Sequence, residues 1–298
     1  MNISAQQVKE LRQATGAGMM ECKNALQENA GDMQQAIVWL RERGMARAAK
    51  KAGRTAAEGV VEFLIATDGT QAAMVELNCE TDFADKNEDF RGFARSLAQC
   101  ALTNKTQSAE ALSRAKIGST TVSEQLLQLI AKIGENMTVR RVAYVHEPKG
   151  RIFGYSHMGG KIGTLVTFKG NVTHPKMADV GADLAMHVAA ASPRFLTRDQ
   201  VVATELEQEK AIIRKRLLDE GKPENIVEKA LLGQVNKYYQ EICLLDQAFV
   251  KEPKLSVTSY IKQSGADVTL ARYDRFQLGE GIEVTKTDFA AEVASQIK

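Results

Sequence analysis

The apolar positions of the first 44 residues recur at three- and four-residue spacing and predict three short helices. Ser4 and Gln7 form a capping box ahead of Val8 and Leu11, and Thr15-Gly16-Ala17-Gly18 breaks the first helix. A second helix runs from Met19 to about Asn29. Gly31-Asp32 stops it and caps a third, where Met33, Ala36, Ile37 and Leu40 share a face before Gly44 closes the module. Ala46 to Ala57 sets Arg47, Lys50, Lys51 and Arg54 among alanines and reads as a basic linker, helical or extended.

From Gly59 the period changes to strand-like. Val60 to Ile65, a Thr67-Asp68-Gly69-Thr70 turn and Ala73 to Asn78 predict a β-hairpin. A helix with Phe90, Phe93, Ala94, Leu97 and Ala98 on one face follows Thr81-Asp82-Phe83, then a second to about Ile133 and a strand over Val139 to Val145. A similar order recurs: a hairpin from Ile152 to Phe168 turning near Met158-Gly159-Gly160, then a helix carrying Val180, Leu184, His187 and Val188. This predicts an internal duplication, by pattern rather than identity. Two long polar helices interrupt the second copy. One is striped by Val202, Leu206, Ile213 and Leu217, the other by Val227, Leu231, Val235, Tyr238 and Ile242. Gly221-Lys222-Pro223 between them predicts an antiparallel helical hairpin. The copy resumes with a strand over Arg272 to Phe276, and a helix from about Asp288 ends the chain.

The fold class expected is therefore α+β. Its divisions are a helical module with linker (1–55), a core subdomain (56–142), a second core subdomain (143–196 and 241–275), the helical hairpin (197–240) and a carboxy-terminal module (276–298).

Composition narrows the function. Of 298 residues, 44% are hydrophobic and 26% charged, enough apolar material for several cores. Lys and Arg number 39 against 37 Asp and Glu, without the long basic stripe that phosphate binding needs, so direct nucleic-acid binding is not expected. Cys22, Cys79, Cys100 and Cys243 lie far apart with no histidine at ligand spacing, which argues against a metal site. The start lacks an apolar leader and no window reaches the roughly 18 apolar residues of a span, so a cytoplasmic protein with reduced thiols and no membrane partner is expected.

No enzyme signature stands out. Gly159-Gly160-Lys161 has Tyr155 where a phosphate loop needs glycine and Ile162 where it needs Ser or Thr, so a hairpin turn is the better reading. His146, His157, His174 and His187 have no recognisable triad around them, and His187 on an apolar face reads as a core residue. Thr81-Asp82-Phe83 before a helix is open to two readings: a cap with a buried staple, or a functional pair. Thr287-Asp288-Phe289-Ala290 repeats the tetrapeptide Thr81 to Ala84, so the tetrapeptide alone does not single out a site. Adjacent Met19 and Met20 cannot share one helix face; they close a small core or offer an adaptable contact surface.

Two segments are more specific. Leu11 to Leu26 (LRQATGAGMMECKNAL) and Glu76 to Phe83 (ELNCETDF) closely resemble the two signatures of the elongation factor Ts family. Ala131 to Asn136, Ala185 to Ala189 and Gly279 to Glu283 extend the resemblance in order along nearly the whole chain. It implies a guanine-nucleotide exchange factor for elongation factor Tu, with no covalent catalysis, no cofactor and no metal of its own. It also implies an amino-terminal ubiquitin-associated-like module, a duplicated core of antiparallel sheets and helices, a coiled-coil hairpin and a carboxy-terminal module.

For the site, the resemblance implies that Asp82 and Phe83, flanked by Thr81 and Ala84, insert beside the partner's magnesium and nucleotide. Arg12, Met19 and Met20 are implied contacts of the amino-terminal module, and His157, Met158 and Gly159 contacts of the core. The family usually continues with a valine and a small residue where Ala84-Asp85 stand here, which bears on the support beneath the pair. Self-association as a homodimer or a 2:2 assembly, through the hairpin or the core, is a further expectation. Two other readings compete: a helical adaptor binding a different partner through residues 1–44, and an enzyme using Asp82 with a histidine.

Overall fold

The computed structural model describes residues 3–283; the expected helix from Asp288 and the Thr287–Ala290 repeat lie outside them. The architecture is α+β, with helices beside small sheets. The chain divides into two compact units. The first takes the chain up to Leu64, Ala73–Tyr144 and the chain from Gln277, the second Ile65–Ala72 and Val145–Phe276.

The first unit opens with α1 (Ala5–Thr15), α2 (Met19–Glu28) and α3 (Met33–Lys51). The capping box is present, with Gln7 N–H donating to Ser4 Oγ at 3.2 Å and Ser4 N–H to Gln7 Oε1 at 3.0 Å. Asp32 caps α3 by accepting the Gln35 N–H at 3.0 Å. Val8, Leu11, Cys22, Ala25, Leu26 and Ala36 form the core of the three helices. The third helix does not stop at Gly44. It runs on to Lys51 because the missing side chain at Gly44 is a packing device: a Cβ there would stand 3.1 Å from the Cβ of Ala131. The segment read as a linker is thus largely helix, and its Ala48 is buried in the core of the unit.

Next come β1 (Glu58–Ile65), β2 (Gln71–Cys79), the single turn α4 (Asp82–Asp85), α5 (Glu88–Asn104) and α6 (Ala109–Arg114). The small strands β3 (Lys116–Ile117) and β4 (Thr120–Thr121), α7 (Val122–Ile133) and β5 (Met137–His146) follow. The sheet order is β1-β2-β5. Alternate residues of β2 go to opposite faces, so Ala73, Val75 and Leu77 meet Phe90, Phe93, Ala94 and Leu97 of α5 in one core. On the other face, buried Glu76 accepts Arg140 Nη1 at 3.0 Å, Arg141 Nε at 2.5 Å and the Gly279 N–H at 2.9 Å. That carboxylate ties the segment after the last strand to the first sheet.

The second unit contains β6 (Gly150–His157), β7 (Ile162–Gly170) and α8 (Met177–Ala191), then α9 (Ala203–Asp219) and α10 (Glu224–Ile242). It finishes with β8 (Ala248–Phe249), β9 (Glu252–Ser256), α11 (Val257–Gln263) and β10 (Val268–Gln277). Strands order β10-β7-β6, and β6 pairs β7 antiparallel with His157 opposite Ile162. Val166, Phe168, Leu184, Val188, Phe249, Val257 and Ile261 belong to its core. Helices α9 and α10 reverse at Gly221 (φ 76°) and close a separate seam of Ile213, Leu217, Val227 and Leu231. Val202, expected in that stripe, stands at the amino-terminal cap of α9 and is 56% exposed.

Candidate functional site

Where β2 ends at Cys79 the chain bends into α4, and nearly every residue of the bend is held from within the first unit. Thr81, not Asp82, is the cap: its hydroxyl accepts the Ala84 N–H at 3.4 Å. The Cys79 thiol donates to the Thr81 carbonyl at 3.2 Å. Across the bend, the Glu135 carboxylate accepts the backbone N–H groups of Glu80 and Thr81 at 3.1 and 2.9 Å and the Thr81 hydroxyl at 2.6 Å. The Glu80 carboxylate in turn accepts the Asn136 N–H at 2.6 Å.

Ala84 and Asp85 point inward. Ala84 joins the core, so of the four expected site residues it serves as support beneath the turn. Asp85 is buried, receives Arg91 Nη2 at 3.4 Å on its carboxylate, and accepts Arg91 Nε at 2.5 Å on its carbonyl. The departure from the family pattern is therefore anchored by an ion pair.

Phe83 is the exception. Its side chain is 80% exposed, which rules out the buried-staple reading, since a staple owes its effect to removal from water. Asp82 accepts the Lys86 ammonium at 2.8 Å, and that ammonium lies 5.6 Å from the centre of the Phe83 ring. One turn thus offers a carboxylate, an aromatic face and a cation to the outside. Lys86 was not singled out in the sequence, and Glu135 only as one residue of the matching stretch Ala131 to Asn136, with no role attached. The i,i+4 spacing to Asp82 marks Lys86, whereas Glu135 is 54 residues from Thr81 and carries no local signal.

The other expected contacts are also outward. Met19 and Met20 are 59% and 66% exposed, because Cys22, Ala25 and Leu26 supply the inward face of α2. Arg12 is exposed on the last turn of α1. In the second unit, His157 ends β6, and Met158 and Gly159 open the β6–β7 turn; Met158 is 73% exposed and adopts φ 49°, Gly159 φ 65°. Tyr155 Oη and His157 Nδ1 are 3.1 Å apart beside it.

His187 is a satisfied core residue. Val250 N–H donates to its Nδ1 at 3.2 Å, so Nε2 carries the proton and donates to Gln247 Oε1 at 3.0 Å. Burial holds its pKa below the ordinary histidine range, partly opposed by the Gln247 hydrogen bond. Among the described residues, no group of three or more His, Cys, Asp or Glu is placed to hold a metal ion, and no helix is long and apolar enough to cross a membrane. All four cysteines are free and buried.

The family model described as Elongation factor TS matches residues 80–280. Over 300 residues the chain is 47% identical to elongation factor Ts of Clostridium botulinum (strain Eklund 17B / Type B), covering 99% of both chains. It is 48% identical over 307 residues to elongation factor Ts of Syntrophotalea carbinolica, covering 100% of both, and 46% identical over 297 residues to that of Clostridium perfringens (strain SM101 / Type A), covering 98% of both.

Proposed function

This chain belongs to the elongation factor Ts family and is a translation elongation factor of the nucleotide-exchange kind, and from that premise we propose that it binds elongation factor Tu carrying GDP and speeds GDP release. The observation that carries the reading is Phe83, left in water on a turn whose neighbours are held. An exposed aromatic at that point costs apolar hydration in the free protein and returns it on entering a partner. With Asp82 beside it, the ring disturbs the partner's magnesium and phosphate site. Loss of magnesium coordination removes charge stabilisation from the bound phosphates. Exchange then follows by linkage: a protein that favours the nucleotide-free partner weakens nucleotide binding by the same factor, and each tenfold corresponds to about 1.4 kcal/mol of differential contact. No covalent step and no cofactor is needed.

Exposed Met19 and Met20 and Arg12 in the first unit, and Met158 on its turn in the second, are further contacts in this reading; methionine suits a partner that changes shape. The adaptor reading through residues 1–44 is the less favoured, since α3 continues into the core of the same unit. Within the finer architecture, the two three-stranded sheets with helices against them support a repeated core, and Ile212 and Leu232, 62% and 70% exposed on the helical hairpin, support a second copy docking there.

The test is release of labelled GDP from elongation factor Tu. Phe83→Ala is expected to slow release by on the order of 10-fold or more, while changing the protein's own melting temperature little, because the ring is not part of the core. Undiminished exchange by this variant would remove Phe83 from the mechanism.

A further inference from the structure

Resting on that reading of the Phe83 turn, we infer that Glu135 is its positioning residue, and that the turn Gly134-Glu135-Asn136 at the end of α7 is the mount on which the exposed ring is aimed. The β2–α4 bend has no regular strand or helix of its own to fix Glu80 and Thr81. Their two N–H groups and the Thr81 hydroxyl converge instead on one carboxylate, at 3.1, 2.9 and 2.6 Å. Three donors on one acceptor group set both the height and the rotation of the bend, and Phe83 begins two residues later.

The mount itself is fixed from three sides. Gly134 closes α7 in the left-handed region (φ 89°), with its N–H donating to the Ile130 carbonyl at 2.9 Å. The Asn136 N–H reaches back to Glu80 at 2.6 Å, so the two segments hold each other reciprocally. Asn136 Nδ2 donates to the Arg54 carbonyl at 2.7 Å, and Lys51 at the end of α3 donates to the Gly134 carbonyl. The helix that follows Met19 and Met20 in the chain therefore ends on the same three-residue turn that holds Thr81. Two parts of the proposed contact surface share one support, which makes their relative placement a property of residues 134–136.

A positioning role and a merely structural one differ in what they change. If Glu135 only stabilises the fold, Glu135→Ala lowers the melting temperature and leaves GDP release at saturating factor intact. If it aims Phe83, the maximal release rate falls by roughly 10- to 100-fold, the range for a misplacement of about 1 Å, and the half-saturating concentration moves little because the wider surface is kept. Glu135→Gln, which keeps a carbonyl acceptor and nearly the same volume, is the variant to use if the alanine form does not fold; it should fall between the two.

The deciding measurement is a double-mutant cycle on the maximal rate. Glu135→Ala added to Phe83→Ala should cost less than about twofold more, since a mount has no effect once what it aims is gone. Additive losses, or a normal maximal rate with Glu135→Ala while Phe83→Ala is slow, would overturn the positioning role alone. A normal rate with Phe83→Ala would instead overturn the reading of the turn, and the positioning with it.

Discussion

Phe83 stays in water because its neighbours are the residues that go inward: Ala84 fills the core and Asp85 meets Arg91. The sequence set a cap against a functional pair at this point, and no pattern of residue types could decide between them, since either reading needs a polar residue followed by an aromatic one. Burial decides it. At the same scale, His187 makes a pH prediction. Its folded pKa lies below the ordinary value of about 6.5, burial being the main cause. Between the folded and unfolded values the unfolded chain binds a proton that the folded chain refuses, so stability is full above the unfolded pKa and falls as pH drops below it. Protonation would also set an N–H on Nδ1 against the Val250 N–H that it now accepts. The melting temperature should fall between about pH 7.5 and 5.5, and His187→Gln should flatten that slope whatever its own stability. An equal slope in the variant would assign the dependence to other groups.

At the scale of elements, what was legible was what repeats over three or more turns or alternates over six or more residues. The caps at Ser4 and Asp32 and the reversal at Gly221 stand where local chemistry placed them. Gly44 was misread because a glycine stop and a glycine contact look alike until Ala131, far along the chain, is brought beside it. Helix α11, strands β8 and β9 and the β3–β4 pair escaped notice: each is too short for a period to be counted, and α11 declares itself only through the Ser256 cap. The hairpin of α9 and α10 contains two distinct seams, and this fixes where it can be cut. The distal seam of Ile213, Leu217, Val227 and Leu231 is separate from the base, where Leu206, Tyr238 and Tyr239 meet Val201, Ile242 and Cys243. At the base Glu205 pairs with Arg194 at 2.6 Å and accepts the Tyr238 hydroxyl at 2.6 Å. Joining Glu209 to Asn236 through a short glycine linker should leave the melting temperature within a few degrees. Removing Ala203 to Glu241 should lower it clearly, because it strips the base; each kcal/mol is worth about 2–4 °C in a chain of 150–250 residues. Equal losses from both cuts would show that the distal seam supports the body.

At the scale of the whole molecule, the pairings that organise the first unit join residues far apart in sequence: Glu76 with Gly279, Thr81 with Glu135, and Arg54 with Asn136. Each partner looks like an ordinary surface residue when read alone, which is why the motifs were visible as words and their contacts were not. The same pairings revise what an amino-terminal truncation should do. A polar, alanine-rich stretch between two self-contained cores predicts that deleting residues 1–55 leaves the remainder as stable as before. In the structure that stretch carries Ala48 into the shared core, Arg41 pairs with Glu124, and Gly44 lets α3 lie against Ala131 of α7. The deletion would uncover α7 beside partly buried Leu126 and Leu127 and strand the Asn136 side chain that holds Arg54. Burial is worth about 25 cal/mol per Å² of apolar surface, so uncovering even 100 Å² costs roughly 2–3 kcal/mol, or about 4–12 °C. The truncated protein should therefore melt lower than the full chain and bind a dye for exposed apolar surface. A cut that spares α3, removing only residues 1–30, should keep the α3–α7 contacts and lose less. Should the shorter deletion prove as damaging as the longer, the loss would lie in α1 and α2 and not in the face that α3 covers.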